Sequence, residues 1–171
     1  MSQINGVVIG LVTNVRDPDK RGRIKVHFPW LDDSHETDWI RIATMMGGND
    51  RGSFFLPEVE DEVLVAFDHG DVRFPYVVGF MWNGKDQPPT DDPNLRVIRS
   101  VNGHEIRLYD PPVENGDQGY IRLQYSRGGG SVNIVELANG GITISSDSAV
   151  QINAPNVIIN GRVVAPTPGP I

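Results

Sequence analysis

Cysteine is absent from all 171 residues, so no disulfide contributes to the fold and the redox compartment stays open. Positive charge is not in excess either. Lys and Arg number 15 against 22 Asp and Glu, for a net charge of −7. That balance argues against a nucleic-acid or anionic-membrane partner, because both reward clustered Lys and Arg. No run approaches the roughly 20 apolar residues of a spanning helix. The opening MSQINGVVIG has neither a basic flank nor a long apolar core, which predicts no signal peptide and synthesis in the cytoplasm. Long helix-period runs are missing as well.

What the chain does have is turns. It holds 19 Gly and 13 Pro, and Asn-Gly follows from Asn5, Asn83, Asn102, Asn115, Asn139 and Asn160. Both residues of that pair tolerate positive φ, so it suits tight hairpins. This density of turn signals predicts an all-β protein. The richest stretch is Pro57–Trp82. Val63, Val65 and Phe67 share one face of a strand, with Leu64 and Ala66 on the other. After a polar corner at His69–Pro75, Tyr76, Val78, Phe80 and Trp82 alternate with Val77, Gly79 and Met81. Apolar residues on both faces predict strands buried inside a small barrel. Before them, Asn5–Val15 alternates with Val7, Ile9 and Leu11 on one face. A charged turn, Arg16–Arg23, leads to a strand at Arg23–Phe28, and Trp39–Thr44 reads as a third strand. Met45–Leu56 reads as a Gly-containing loop. Five short strands in about eighty residues make the five-stranded OB-fold barrel the economical architecture.

Asn83–Asn94 has three prolines, three aspartates and no apolar side chain, which reads as a linker. Beyond it, hairpin signals and short strands recur, at Val97–Val101, His104–Tyr109, Gly119–Tyr125, Val132–Leu137, Ile142–Ser145, Val150–Asn153, Val157–Asn160 and Arg162–Ala165. Apolar residues at every second position give this ladder one dry face. The sequence supplies no second sheet and no helix to cover it. Each Ile or Val is worth roughly 1.5–3 kcal/mol only when buried, and open strand edges invite aggregation. Copies of the chain covering one another resolve both problems, and three make the smallest closed prism. A homotrimer is expected, with Ile142, Ile144, Val150, Ile152, Val157, Ile159 and Val163 along its axis.

Gly6–Trp30, Asp38–Thr44 and Pro57–Trp82 resemble the OB-fold domain of contractile-tail spike proteins. That family includes phage baseplate assembly protein V and the VgrG proteins of type VI secretion. The residues behind the resemblance are the Asp17-Pro18 turn with Gly22-Arg23, the V-x-F-P-W strand at Val26–Trp30 and W-x-R-x-A at Trp39–Ala43. D-E-V-L-V-x-F at Asp61–Phe67 and G-D-x-x-x-P-x-V-x-G at Gly70–Gly79 complete the set, with Glu60 where a glycine is usual. Ser100–Asp110, with Gly103-His104, is similar to the start of the family's stalk.

The resemblance implies an N-terminal five-stranded OB-fold barrel followed by an intertwined trimeric triple-stranded β-helix. On this chain that means a collar at 1–82, a linker at 83–96, a β-helical spike at 97–165 and a tip segment at 166–171. It also implies a structural spike of a contractile injection apparatus, in a phage tail baseplate or a related extracellular system, assembled into a virion or phage tail-like particle. A target membrane would be contacted only mechanically. VgrG proteins carry a large hub domain before the OB-fold, and here the first strand begins near Met1, so a separate hub protein is expected at the collar. Some spikes carry a lysozyme domain where this chain has only its linker. Some end in an iron-binding H-x-H tip, whereas His27, His35, His69 and His104 all precede the distal ladder. A separate PAAR-repeat-like tip protein is therefore expected, touching Val164, Pro166 and Ile171.

Several groups resemble chemistry, and each has a simpler reading. Glu58, Glu60, Asp61 and Glu62 offer paired carboxylates, but no helix or cleft signal accompanies them and they read as a solvated turn. Asp32, Asp33, Glu36 and Asp38 with His35 lack the spacing of a calcium loop. Gly47-Gly48 and Gly52 are followed by no Lys-Ser/Thr and no helix, so they are not a phosphate loop. Ser34 beside His35 says nothing about a triad. Trp30, Trp39 and Trp82 would stack bases in an OB-fold that binds single-stranded nucleic acid. That binding module, for nucleic acid or a glycan, is the alternative function, and core or subunit contacts suit an acidic chain better. No catalytic set, cofactor or metal site is expected, and a cell-wall hydrolase is the weakest of the three readings.

Overall fold

The computed structural model describes residues 4–31, 35–112, 114, 116, 118–127 and 131–164. The chain divides into two compact units, Met1–Pro88 and Pro89–Ile171.

The first unit is built on seven strands: β1 (Val7–Asn14), β2 (Lys25–His27), β3 (Arg41–Ile42), β4 (Gly47–Gly48), β5 (Arg51–Gly52), β6 (Glu62–Phe67) and β7 (Pro75–Met81). Five of them form one sheet in the order β2-β1-β6-β7-β3, antiparallel except for the parallel β3–β7 pair. Its two edges meet where Ile24 and Ile40 exchange backbone hydrogen bonds of 3.0 and 2.8 Å. Val12, Ile24, Val26, Phe28, Ile40, Val63, Val65, Phe67 and Val77 fill the interior. Gly10 is required where β1 crosses β2, because a Cβ there would lie 2.3 Å from Val26 Cγ1.

The charged turn after β1 is held by one carboxylate. Asp17 accepts from the backbone N–H groups of Asp19 and Arg21, and from Nε and Nη2 of Arg23 at 3.0 and 2.7 Å. The Arg23 guanidinium above all keeps the Asp17 carboxyl far below the usual carboxylate range. Arg73 likewise lowers Asp71 to about 2 at the corner between β6 and β7. That corner contains a short 3-10 turn, Asp68–Gly70, with His69 in the left-handed region at φ 49°.

Two expectations for this unit need correction, and β1 shows which of its faces is the inner one. The second strand of the central pair is not buried on both faces: Val77 is buried, whereas Val78, Phe80 and Met81 are exposed and Trp82 is 67% exposed. The interior accepts one face of each strand, and the other points outward. The β6–β7 register also shifts between Leu64 and Val65, which breaks simple alternation. In β1 the face of Val7 and Ile9 is the exposed one, and the interior receives Gly10 and Val12. Finally, Met45–Leu56 is not a plain loop, because β4 and β5 pair within it as a small hairpin.

The second unit holds β8 (Leu95–Arg99), β9 (Glu105–Tyr109), β10 (Tyr120–Arg127), β11 (Ser131–Ala138), β12 (Gly141–Ser145), β13 (Val157–Ile159) and β14 (Arg162–Val164). The first five make an antiparallel meander in strict sequence order, and the last two form a separate hairpin. The β13–β14 turn is Asn160-Gly161, both at positive φ (49° and 74°), as a two-residue primed turn demands. Val150–Asn153, expected as a strand, is not one: residues 146–156 carry no strand, and they pair with no strand among the described residues.

Candidate functional site

Cross-strand register in the meander sorts its side chains into two unlike faces. Ile98 lies opposite Ile106, Ile106 opposite Leu123, and Leu123 opposite Val135, which faces Ile144. A second row runs Leu108, Ile121, Leu137 and Ile142. Directly opposed residues share a face, so two rows of branched aliphatic side chains cross the sheet side by side. Nothing in the described chain covers them. Val135 is half-buried and the others are exposed, with Ile142 at 70% and Ile144 at 58%. Polar residues border the two rows, with Arg96 opposite Leu108 and Asn133 opposite Tyr125, but a contiguous aliphatic patch of this kind marks a contact surface rather than scattered surface hydrophobicity.

The reverse face is polar and satisfied within the chain. Glu105, 5% exposed, is bonded by both Arg99 and Arg107. Burial pushes its carboxyl up, but hydrogen bonds from Arg107 and then Arg99 outweigh that and hold it below the usual glutamate range. Arg122 donates through Nε to Glu136 at 2.7 Å and lies over the Tyr120 ring. His104 and Tyr125 lie instead on the aliphatic side, two residues along from Ile106 and Leu123; their rings stack with centroids 4.5 Å apart, and His104 Nδ1 accepts from Ser126 N–H.

Because Glu105 is ionised more readily in the folded chain, it contributes stability above its ordinary value of 4.5, and this is lost as pH falls through the lowered value. Glu105→Gln should therefore destabilise the second unit at neutral pH by about 2 kcal/mol. The difference from the parent should close in acid. Urea midpoints at both pH values check this.

Among the residues expected on a trimer axis, Ile142 and Ile144 sit on this apolar face, on β12. Val150 and Ile152 are exposed but outside any strand. In the distal hairpin Val163 lies opposite Ile158, on the face away from Val157 and Ile159. Val164 is exposed, while Pro166 and Ile171 lie outside the described residues. Sequence reasoning missed the upstream half of the face: Ile98, Ile106, Leu108, Ile121, Leu123, Val135 and Leu137. Their signal was present as period-2 alternation on both sides of hairpin turns.

The sites that resembled chemistry have local structural roles. Asp61 accepts from the Glu58 N–H at 2.8 Å, and Glu60 sits at φ 78°, a conformation that explains why glycine suits that position. Glu36 takes hydrogen bonds from Lys25 and Thr13, both at 2.6 Å, and its carboxyl is lowered chiefly by Lys25. Asp32, Asp33 and Ser34 lie outside the described residues. The glycines of the supposed phosphate loop belong to the β4–β5 hairpin. Trp30 packs beside Phe28, and Lys25 lies over Trp39. Among the described residues, no group of three His, Asp or Glu side chains is placed to hold a metal, and no helix is long and apolar enough to cross a membrane.

Comparison with known proteins agrees with this arrangement. Residues 8–82 match the family described as the type VI secretion system/phage-baseplate injector OB domain. The chain is 37% identical over 133 residues to the type VI secretion system spike protein VgrG1b of Pseudomonas aeruginosa, covering 75% of this chain and 17% of that one. It is 29% identical over 143 residues to VgrG3 of Vibrio cholerae, covering 78% and 13%. With VgrG2a of Pseudomonas aeruginosa the identity is 32% over 93 residues, covering 52% and 11%. The matched segment thus spans under a fifth of each of these relatives. Residues 8–82 thus belong to the injector OB-domain family shared by phage baseplates and type VI secretion systems, and the chain is similar over half or more of its length to type VI spike proteins.

Proposed function

We propose that the chain is a structural subunit of the central spike of a contractile injection apparatus, active as a homotrimer. The observation that carries this reading is the bare apolar face of β9–β12. Three copies that turn these faces to a common axis bury them, and each fully buried Leu, Ile or Val contributes roughly 1.5–3 kcal/mol. The same association gives residues 146–156 neighbours with which to pair, so that the distal segment winds into a triple-stranded β-helix. Ile142, Ile144, Val150, Ile152, Val157 and Ile159 line that axis, and Val163, which shares the hairpin's other face with Ile158, does not. A prism with a tightly packed core and satisfied backbone resists compression, which is what driving through an envelope requires.

In this reading 1–82 is a collar whose five-stranded OB barrel seats on a separate hub, 83–96 is a linker and 97–165 is the spike. The segment 166–171, with Val164, carries a PAAR-repeat-like tip. The spike has no catalytic role, binds no nucleic acid and touches the target membrane only mechanically. Native mass measurement of the purified chain tests this. The expected species is three times the 18.8 kDa of one chain. A folded species at the single-chain mass, at micromolar concentration, would overturn the reading.

A further inference from the structure

One margin of the aliphatic face is closed by a histidine. The β9–β10 ladder runs from the Tyr109–Tyr120 pair to the Glu105–Gln124 pair and stops there. Two residues further along β10, Ser126 N–H donates to His104 Nδ1 at 3.2 Å, so an imidazole stands where the ladder would place a carbonyl. A ring nitrogen that accepts an N–H carries no proton, which makes this imidazole neutral with its proton on Nε2. The ring is fixed further by its stack on Tyr125, with planes 16° apart. The turn before it is tied down as well: Ser100 N–H donates to His104 O at 2.9 Å, and His104 N–H donates to Ser100 Oγ at 3.0 Å.

The groups around the ring offer a charged imidazole no carboxylate. From β10 it meets the Tyr125 phenol, and Asn133 of β11 lies opposite Tyr125. The turn supplies only the Ser100 hydroxyl. Along the face come Ile106 and Leu108, and past them Arg96 of β8 and Asp110, bonded to each other. Glu105 is the next residue, but it belongs to the reverse face, where Arg99 and Arg107 hold it. Protonation of Nδ1 sets one N–H against another at Ser126, and the Tyr125 ring face compensates only in part.

We propose that His104 makes association of the aliphatic faces sensitive to acid. The proposal rests on the trimeric reading and adds a control to it. In a single chain the ring is half-buried, and water within reach can serve a charge. Association removes that water from the ring of every copy, so the faces meet with all the rings neutral. The assembled state then binds fewer protons than the separate chains, and acid opposes assembly. A free imidazole titrates near pH 6.5, so a requirement that it be neutral weakens association about tenfold at about pH 5.5. Three copies multiply this to about a thousandfold, and at neutral pH the effect nearly vanishes.

Urea-induced dissociation at fixed chain concentration, followed by light scattering at neutral pH and at about pH 5.5, tests this. His104→Asn is the comparison, because Asn Oδ1 accepts from Ser126 where Nδ1 does and gains no proton. Both proteins should be trimers at neutral pH. In acid the parent should lose about a thousandfold in association constant, and His104→Asn less than about tenfold. Equal losses would overturn the proposal and leave the spike reading intact. Should His104→Asn fail to assemble, the imidazole nitrogen NMR signals of His104 decide instead. In acid the ring should be neutral in the parent trimer and charged in Ile144→Asp, which the spike reading makes a single chain. A charged ring in the trimer would overturn the proposal. A single-chain mass for the parent at neutral pH would end both.

Discussion

Leu123→Asp, and separately Ile144→Asp, will abolish the trimer. Both residues lie in the same row of the exposed aliphatic face, joined through Val135. In an assembly with that face on its axis, each substitution brings three carboxylates together in an apolar interior. Removing even one such charge from water without a partner costs several kcal/mol, and its neutralisation by protonation also has a cost at neutral pH. The residues opposed to Leu123 and Ile144 are Ile106 and Val135, and Arg96, on that face opposite Leu108, is already bonded to Asp110. Ser145→Asp is the control, because Ser145 pairs with Ile134 on the reverse face. Native mass should show single chains for the first two variants and a trimer for the third. A trimer of Leu123→Asp would remove the axis from this face.

Ile24→Ala should destabilise the first unit by about 3 kcal/mol, near the middle of the range for truncating a buried Ile. Ile24 has no exposed surface, and its backbone forms the bridge to Ile40 that joins the sheet's two edges. Because the backbone bonds survive the substitution, the loss reflects packing alone. A domain of this size has only 5–15 kcal/mol to spare, so the effect is a large share of the total. Ile9→Ala is the comparison. Ile9 points away from the interior, and its truncation should stay within about 0.5 kcal/mol. Hydrogen exchange across β1 and β6, resolved by residue, reads both. A similar loss for the two variants would mean that the inner and outer faces of β1 have been interchanged.

Much of the architecture was legible because turn chemistry and alternation are local properties. Asn139-Gly140 and Asn160-Gly161 each join the two strands that flank them. Val63, Val65 and Phe67 share the interior face of β6, as their spacing predicted. What alternation cannot give is which of two faces is buried. In β1 the larger residues Val7 and Ile9 point out, and the deciding contact is the approach of Gly10 to Val26, a tertiary fact. The β4–β5 hairpin was invisible for a related reason: two-residue strands of Gly-Gly and Arg-Gly carry no hydrophobic period. The aliphatic face was half legible. Ile142 and Ile144 stood out among polar neighbours, whereas Ile106, Leu108, Ile121 and Leu123 needed the register of β9 on β10 to be seen as one surface.

The single parallel pairing in the first sheet has a consequence for synthesis. Arg41 joins Tyr76, and Ile42 joins Val77, so beyond the single bridge from Ile40 to Ile24, β3 has no strand to pair with until β7 has emerged from the ribosome. The meander that follows needs no such wait, since every strand there bonds to the one made just before it, and local pairing is the fast kind. A nascent chain therefore passes through a stage in which its upstream sheet waits on one late strand, while the downstream meander zips up at once and still leaves its aliphatic face bare.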